Sequence, residues 1–286
     1  MKVRTGILSL LLVALAVAPT FAQSELSGLL DRVAPSIVTV KVVIKTEFNM
    51  MGQTQNEEQR SELQGVVVDP SGLIMISNAE ISADRMKEAM GAGPFGEVDL
   101  KMTPSDFKIV FGNEETEHAA FLVATDTKLD LAFLQVQELG ERKPSPVVFA
   151  EDAEGSVGDL IVSVSRLQKG YDYAPYFATG RISGVLQKPR TAWIVDGNIG
   201  SYGLPIFTSS GKVVGVLVTL AASTTEESGG GFGSLLRMMR GAGGSDGPLG
   251  TFVLPSKLVA RLIEQAKAKA VELKAEMSEK ATDEGK

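Results

Sequence analysis

Apolar and polar positions along most of this chain alternate over short runs or form short continuous apolar stretches, which is the signature of β-strands rather than of helices. Ser24 to Val33 reads as a short helix. Ser36-Ile37-Val38-Thr39-Val40-Lys41-Val42-Val43 then forms a β-branched run of strand length. Leu63 to Asp69 and Leu73 to Ile76 flank the turn sequence Pro70-Ser71-Gly72 and predict a hairpin. Phe107 to Phe111, Glu117 to Ala124 and Leu129 to Val136 continue the series, with Gly112-Asn113 turning between the first two. After a charged, proline-bearing stretch come Leu160 to Val164, Ala178 to Val185, Thr191 to Val195, Leu204 to Phe207, Val213 to Thr219 and Gly250 to Leu254. Two series of strands joined by a linker predict an all-β protein of two six-stranded antiparallel barrels.

The predicted organisation is a signal segment over 1–22, an N-terminal barrel over 24–137, a linker over 138–146, a C-terminal barrel over 147–255 and a helical, polar-ended tail over 256–286. In the tail, Leu258, Val259, Leu262, Ile263, Ala266, Ala270 and Leu273 recur at helical spacing and predict docking on the body. Beyond Glu276 the stripe ends and fraying is expected. Glu47 to Arg60, Met86 to Pro104 and the Gly-rich Ser223 to Pro248 break the strand pattern and read as long surface loops.

Composition narrows the function. The net charge of −7, without a cluster of Lys and Arg, argues against nucleic acid. Lys2 and Arg4, the apolar run from Ile7 to Ala18 and the small residues around Ala22 match a secretory signal, and the run is too short to span a bilayer as a helix. Export to the periplasm, cell envelope or exterior is expected, with no transmembrane segment after cleavage. There is no cysteine, which excludes disulfides, thiol catalysis and thiolate metal sites. With His118 as the single histidine, a multi-histidine zinc site is excluded too, and no cofactor is expected.

The order of several short pieces resembles the protease domain of the HtrA family of trypsin-like serine proteases, over about Leu26 to Gln265. The pieces are Val33-Ala34-Pro35-Ser36-Ile37-Val38, Gly65-Val66-Val67-Val68-Asp69-Pro70-Ser71-Gly72, Asp130-Leu131-Ala132-Phe133-Leu134, Ser156-Val157-Gly158-Asp159, Pro205-Ile206-Phe207 with Gly211-Lys212-Val213-Val214-Gly215-Val216, and Val253-Leu254-Pro255-Ser256. The resemblance implies a double β-barrel with the active site between the barrels, and a serine, a histidine and an aspartate acting together with backbone amides. Asp130 stands at the aspartate's place. At the histidine's place stands Ala79, or Glu80 with a slip of one residue. Tyr202 stands at the serine's place, in Gly200-Ser201-Tyr202-Gly203-Leu204-Pro205, where Gly200, Ser201 and Tyr202 are what remains of the oxyanion loop.

Tyrosine, with an ordinary pKa near 10, is a poor acyl acceptor. Ser201 is the only surrogate nucleophile, and Glu80 the best base for it, although a glutamate near its ordinary pKa of about 4.3 is weak in that role unless burial raises it. His118 falls on another strand and reads as an ordinary strand residue. The family often carries PDZ modules after the protease domain, and the tail after Pro255 is expected to be too short for one. These readings lead to the expectation of an exported, non-catalytic homologue that binds a peptide or protein through the cleft and loops. An active HtrA-type protease is one expected partner, an oligomer is compatible with the family, and hydrolysis at Ser201 is the alternative.

Overall fold

The structure is a computed structural model that describes residues 26–50, 53–83, 99–151, 154–188, 190–219 and 251–283. The signal expected over 1–22 and the Gly-rich loop of Ser223 to Pro248 lie outside the described residues. A short helix α1 (26–33) leads into β1 (Ile37–Met50), β2 (Gln53–Asp69), β3 (Leu73–Ser77), β4 (Asp99–Phe111), β5 (His118–Asp126) and β6 (Leu131–Val136). A second series follows: β7 (Leu160–Arg166), β8 (Pro175–Leu186), β9 (Ala192–Asp196), β10 (Pro205–Thr208), β11 (Val213–Thr219) and β12 (Thr251–Pro255), then helix α2 (Ser256–Asp283). Each series closes on itself, in the order β1-β2-β3-β6-β5-β4 and β10-β11-β12-β9-β8-β7, with every pairing antiparallel. The expected pair of six-stranded barrels is present.

Continuous apolar runs mark strands buried on both faces. Along β3, Ile74 and Ile76 point into the N-terminal barrel, while Leu73 and Met75 point outward into a shared core. Along β11, Val214 and Leu217 fill the C-terminal barrel, while Val213, Val216 and Val218 join that same shared core. Leu29 and Val33 of α1 and Val259, Ile263, Ala266 and Ala270 of α2 complete it. The shared core therefore cements barrel to barrel. Lys267 of α2 adds an ion pair to Asp69 at the β2–β3 turn, with Nζ and Oδ2 3.2 Å apart.

The segment Glu47 to Arg60, expected as a surface loop, is instead a long hairpin. β1 and β2 pair from Ile37↔Val66 out to Met50↔Gln53, and β4 pairs along the other edge of β1 as far as Asn49↔Asp99. The backbone ladder holds these residues in strands, with cross-strand charges such as Lys45 and Glu58 beside it; every residue from Thr54 to Arg60 is exposed, so no alternation marked that strand. Part of the Met86 to Pro104 segment is also strand, since β4 begins at Asp99. The helix α2 runs past Glu276 to Asp283 rather than fraying there. Among the described residues no helix is long and apolar enough to cross a membrane.

One buried side chain bolts the barrels together. Arg166, the last residue of β7, donates from Nε to Ile37 O at 2.8 Å, from Nη2 to Ala34 O at 2.6 Å and from Nη1 to Tyr173 O at 3.0 Å. Its backbone exchanges hydrogen bonds with the amide of Gln64 on β2. Burial holds its pKa below the usual arginine value, yet the fork of donors is matched by carbonyls, which keeps the cation tolerable. Arg166→Met keeps much of the bulk but orphans these carbonyls. It is expected to lower stability by about 2 to 4 kcal/mol in urea denaturation, whereas Arg181→Met, at an exposed position on β8, changes it by less than about 0.5 kcal/mol.

Candidate active site between the barrels

The residues at the site are brought together by strand ends. Asp130 precedes β6 in the left-handed conformation, φ +60°, which an aspartate tolerates better than most residues. Its carboxylate is buried, 1% exposed, and accepts hydrogen bonds from both barrels. From the N-terminal barrel, the backbone N–H of Ala79 reaches Oδ1 at 2.5 Å and the hydroxyl of Ser77 reaches Oδ2 at 3.2 Å. From the C-terminal barrel, Thr219 donates to Oδ2 with its N–H at 3.2 Å and its hydroxyl at 2.8 Å. A buried carboxylate is tolerable where donors of this kind surround it.

The turn that follows β3 places Ala79 and Glu80 against this carboxylate. Asn78 N–H bonds to Asp130 O at 3.1 Å, and Ile81 N–H closes the turn on Asn78 O at 3.1 Å. Glu80 is thereby held in a largely desolvated place beside a second carboxylate. Burial, with the Asp130 charge adding to it, pushes its pKa from the ordinary 4.5 up to about 7.

The loop from Ile199 to Leu204 closes the site from the other barrel. Gly203, φ +81°, lies so tightly on the end of β3 that a Cβ there would stand 2.4 Å from Ser77 N. Gly200, φ +108°, lies over β7, where a Cβ would stand 3.0 Å from both Ser163 Oγ and Ser165 Oγ. Neither hydroxyl has a hydrogen-bond partner among the described residues. Only glycine meets both demands, positive φ and no side chain. Tyr202 turns toward the C-terminal barrel, packs on its core and places its hydroxyl 3.3 Å from Thr251 Oγ1. Ser201 is half-buried on the same loop.

His118 lies apart from these groups. It begins β5, pairs with Ile109, sets its ring edge-on to Phe111 at 5.4 Å and has Nδ1 3.2 Å from Glu138 O. Among the described residues no group of His, Asp and Glu has the arrangement of a metal site.

Asp130, Ala79, Glu80 and the 200–202 loop were all candidates from the sequence. Ser77, Thr219, Ser163 and Ser165 were not. The available signal was a hydroxyl closing an apolar run, as Ser77 closes β3 and Thr219 closes β11, but only the fold shows what the hydroxyls face. The Glu80 environment has a consequence for stability. Because the folded pKa lies above the ordinary one, the folded state keeps this proton between about pH 4.5 and 7 and stability falls as pH rises through that window. Glu80→Gln is expected to flatten the fall and to raise stability at pH 8 by about 2 kcal/mol, with little change at pH 4.5, in urea denaturation at the two pH values.

With this geometry in view, comparison with known proteins places the chain. The family described as a trypsin-like peptidase domain matches residues 64–216, just over half of the chain. A probable periplasmic serine endoprotease, DegP-like, of Rhizobium meliloti (strain 1021) is 32% identical over 124 residues, 39% of this chain and 22% of that protein. The protein of the same name from Bartonella henselae (strain ATCC 49882 / DSM 28221 / CCUG 30454 / Houston 1) is 33% identical over 116 residues, 36% of this chain and 21% of that protein. The match thus spans about a fifth of the length of these relatives, and it supports the HtrA type. The expectation that the chain is no enzyme is corrected by these findings, since the matching domain is that of a peptidase and both relatives are named serine endoproteases. Two six-stranded barrels, an aspartate buried between them and a match over more than half its residues make this chain a member of the trypsin-like peptidase family.

Proposed function

We propose that this is an exported HtrA-type protein that takes an extended polypeptide segment into the cleft between its barrels, with Ser201 as the nucleophile open to that segment and Glu80 as its base. The observation that carries the reading is Glu80, in the turn where the resemblance puts the histidine at Ala79 or Glu80, beside Asp130 and raised to a pKa of about 7. An ordinary glutamate is too weak a base for a serine hydroxyl. One that titrates near neutrality is ionised often enough and basic enough to take the proton.

In this reading the Glu80 carboxylate accepts the Ser201 proton as Oγ attacks the scissile carbonyl carbon. Backbone amides of the 200–202 loop hold the oxyanion. The Glu80 carboxyl then gives its proton to the leaving amine as the C–N bond breaks; water, deprotonated in turn by Glu80, attacks the acyl carbon, and Glu80 returns that proton to Ser201 Oγ as the C–Oγ bond breaks, releasing the carboxylic acid. Asp130 orients the 77–80 turn through Ala79 and Ser77 rather than touching the substrate. Without an imidazole held by its aspartate, turnover falls by about 10⁴ to 10⁶ relative to an intact triad. Capture of the polypeptide therefore outlasts its cleavage, and binding dominates what the protein does to a partner.

Labelling with a serine-reactive fluorophosphonate, followed with and without unfolded casein as competitor, tests this. Slow labelling is expected that casein suppresses, that Ser201→Ala abolishes, that Glu80→Gln slows by at least about 10-fold, and that accelerates as pH rises through about 7, because the base works only when ionised. Labelling that persists in Ser201→Ala overturns the assignment of the nucleophile, and a rate independent of pH between 5 and 9 overturns that of the base.

A further inference from the structure

A cavity lies on the face formed by α1, the connection between the barrels and the β10–β11 turn. It encloses about 430 Å³, within the range of small-molecule sites. Its floor is apolar, built from Leu29, Val147, Phe207 and Val213, all less than a tenth exposed. Two cations, Arg32 and Lys212, stand at its mouth, with Arg32 lying over Gly211, where a Cβ would stand 2.9 Å from Nη2. No acidic residue lines it, and neither cation has an ion pair among the described residues. Val148, 73% exposed, leaves a further apolar surface at the rim.

An apolar floor beneath unpaired positive charge selects an anion with an apolar tail. A peptide strand is a poor occupant, because it needs backbone partners. The strands that line the cavity have none to spare: β10 is paired to β7 and β11 on its two edges, and β11 to β10 and β12. An alkyl chain needs no such partners. At roughly 30 Å³ for each methylene-sized group, by analogy with the volume share of a water, the cavity accommodates a chain of about a dozen carbons.

We propose that this cavity is a binding site for a single-chain fatty carboxylate, its tail on Leu29, Val147, Phe207 and Val213 and its headgroup between Arg32 and Lys212. The site is separate from the interbarrel cleft and does not rest on the reading of Ser201 and Glu80. The test titrates the full chain with dodecanoate by calorimetry, with dodecanol as the uncharged analogue and a short apolar peptide with a free C-terminus as the competing occupant. One dodecanoate per chain is expected, bound at least about 10-fold more tightly than dodecanol or the peptide. The double variant Arg32→Gln, Lys212→Gln is expected to lose that preference, weakening dodecanoate by about 10-fold or more and leaving dodecanol unchanged, and Val148→Asp is expected to weaken both. All three substituted side chains are exposed, so the variants keep the fold. Absence of saturable binding, dodecanoate and dodecanol of equal affinity, peptide binding as tight as dodecanoate, or dodecanoate binding unchanged in the double variant overturns the proposal.

Discussion

The carboxylate of Asp130 is where the two barrels of this protein meet in a single hydrogen-bonded group. It takes donors from Ala79 and Ser77 on one side and from Thr219 on the other. A charge 1% exposed is costly in a protein interior, and it persists because those donors replace the water it gave up. Their positions are thereby tied: the end of β3, the start of β6 and the end of β11 cannot move independently without leaving the carboxylate unmatched. Arg166 makes the complementary junction elsewhere, a cation from the C-terminal barrel answered by carbonyls of the N-terminal one. Between them lies a shared apolar core that alone would resist sliding only weakly, since apolar contact is non-directional.

The same carboxylate decides the chemistry of its neighbour. In the family pattern an imidazole beside the aspartate becomes a cation in the course of the reaction and is stabilised by it. Here a second carboxylate, that of Glu80, lies beside Asp130 with little solvent, and like charges so placed cannot both be ionised cheaply. The outcome is a Glu80 that holds its proton until about pH 7. A glutamate that reads in the sequence as an ordinary acid thus reads in the fold as one that keeps its proton toward neutrality. The cost appears as stability lost with rising pH.

Strands were legible wherever burial imposed a pattern. β3, β6 and β11 carry runs of Leu, Ile and Val because both of their faces are covered, and Gly72 and Gly211, both at positive φ, mark the turns that lead into β3 and β11. The outer half of the β1–β2 hairpin was not legible. Its Gln, Glu and Asn residues from Gln55 to Gln59 are exposed, and its strand conformation comes from pairing of β1 with β2 and with β4, some fifty residues away in the chain. At the site, Asp130, Ala79 or Glu80, Ser201 and Tyr202 were candidates by their order along the chain. Ser77 and Thr219 could not, being 53 and 89 residues from the carboxylate they serve.

By itself, then, the sequence determined the class of fold, the number of strands in each barrel and a composition with no cysteine and a single histidine, and it supplied candidates for the triad positions. These follow from residue type and local order, which are properties of short stretches of chain. Only the tertiary structure decided what those side chains have become. That Glu80 titrates near neutrality, that Tyr202 leans on Thr251, and that Arg32 and Lys212 face one apolar cavity depend on residues far apart in the chain, brought together by strand pairing and packing.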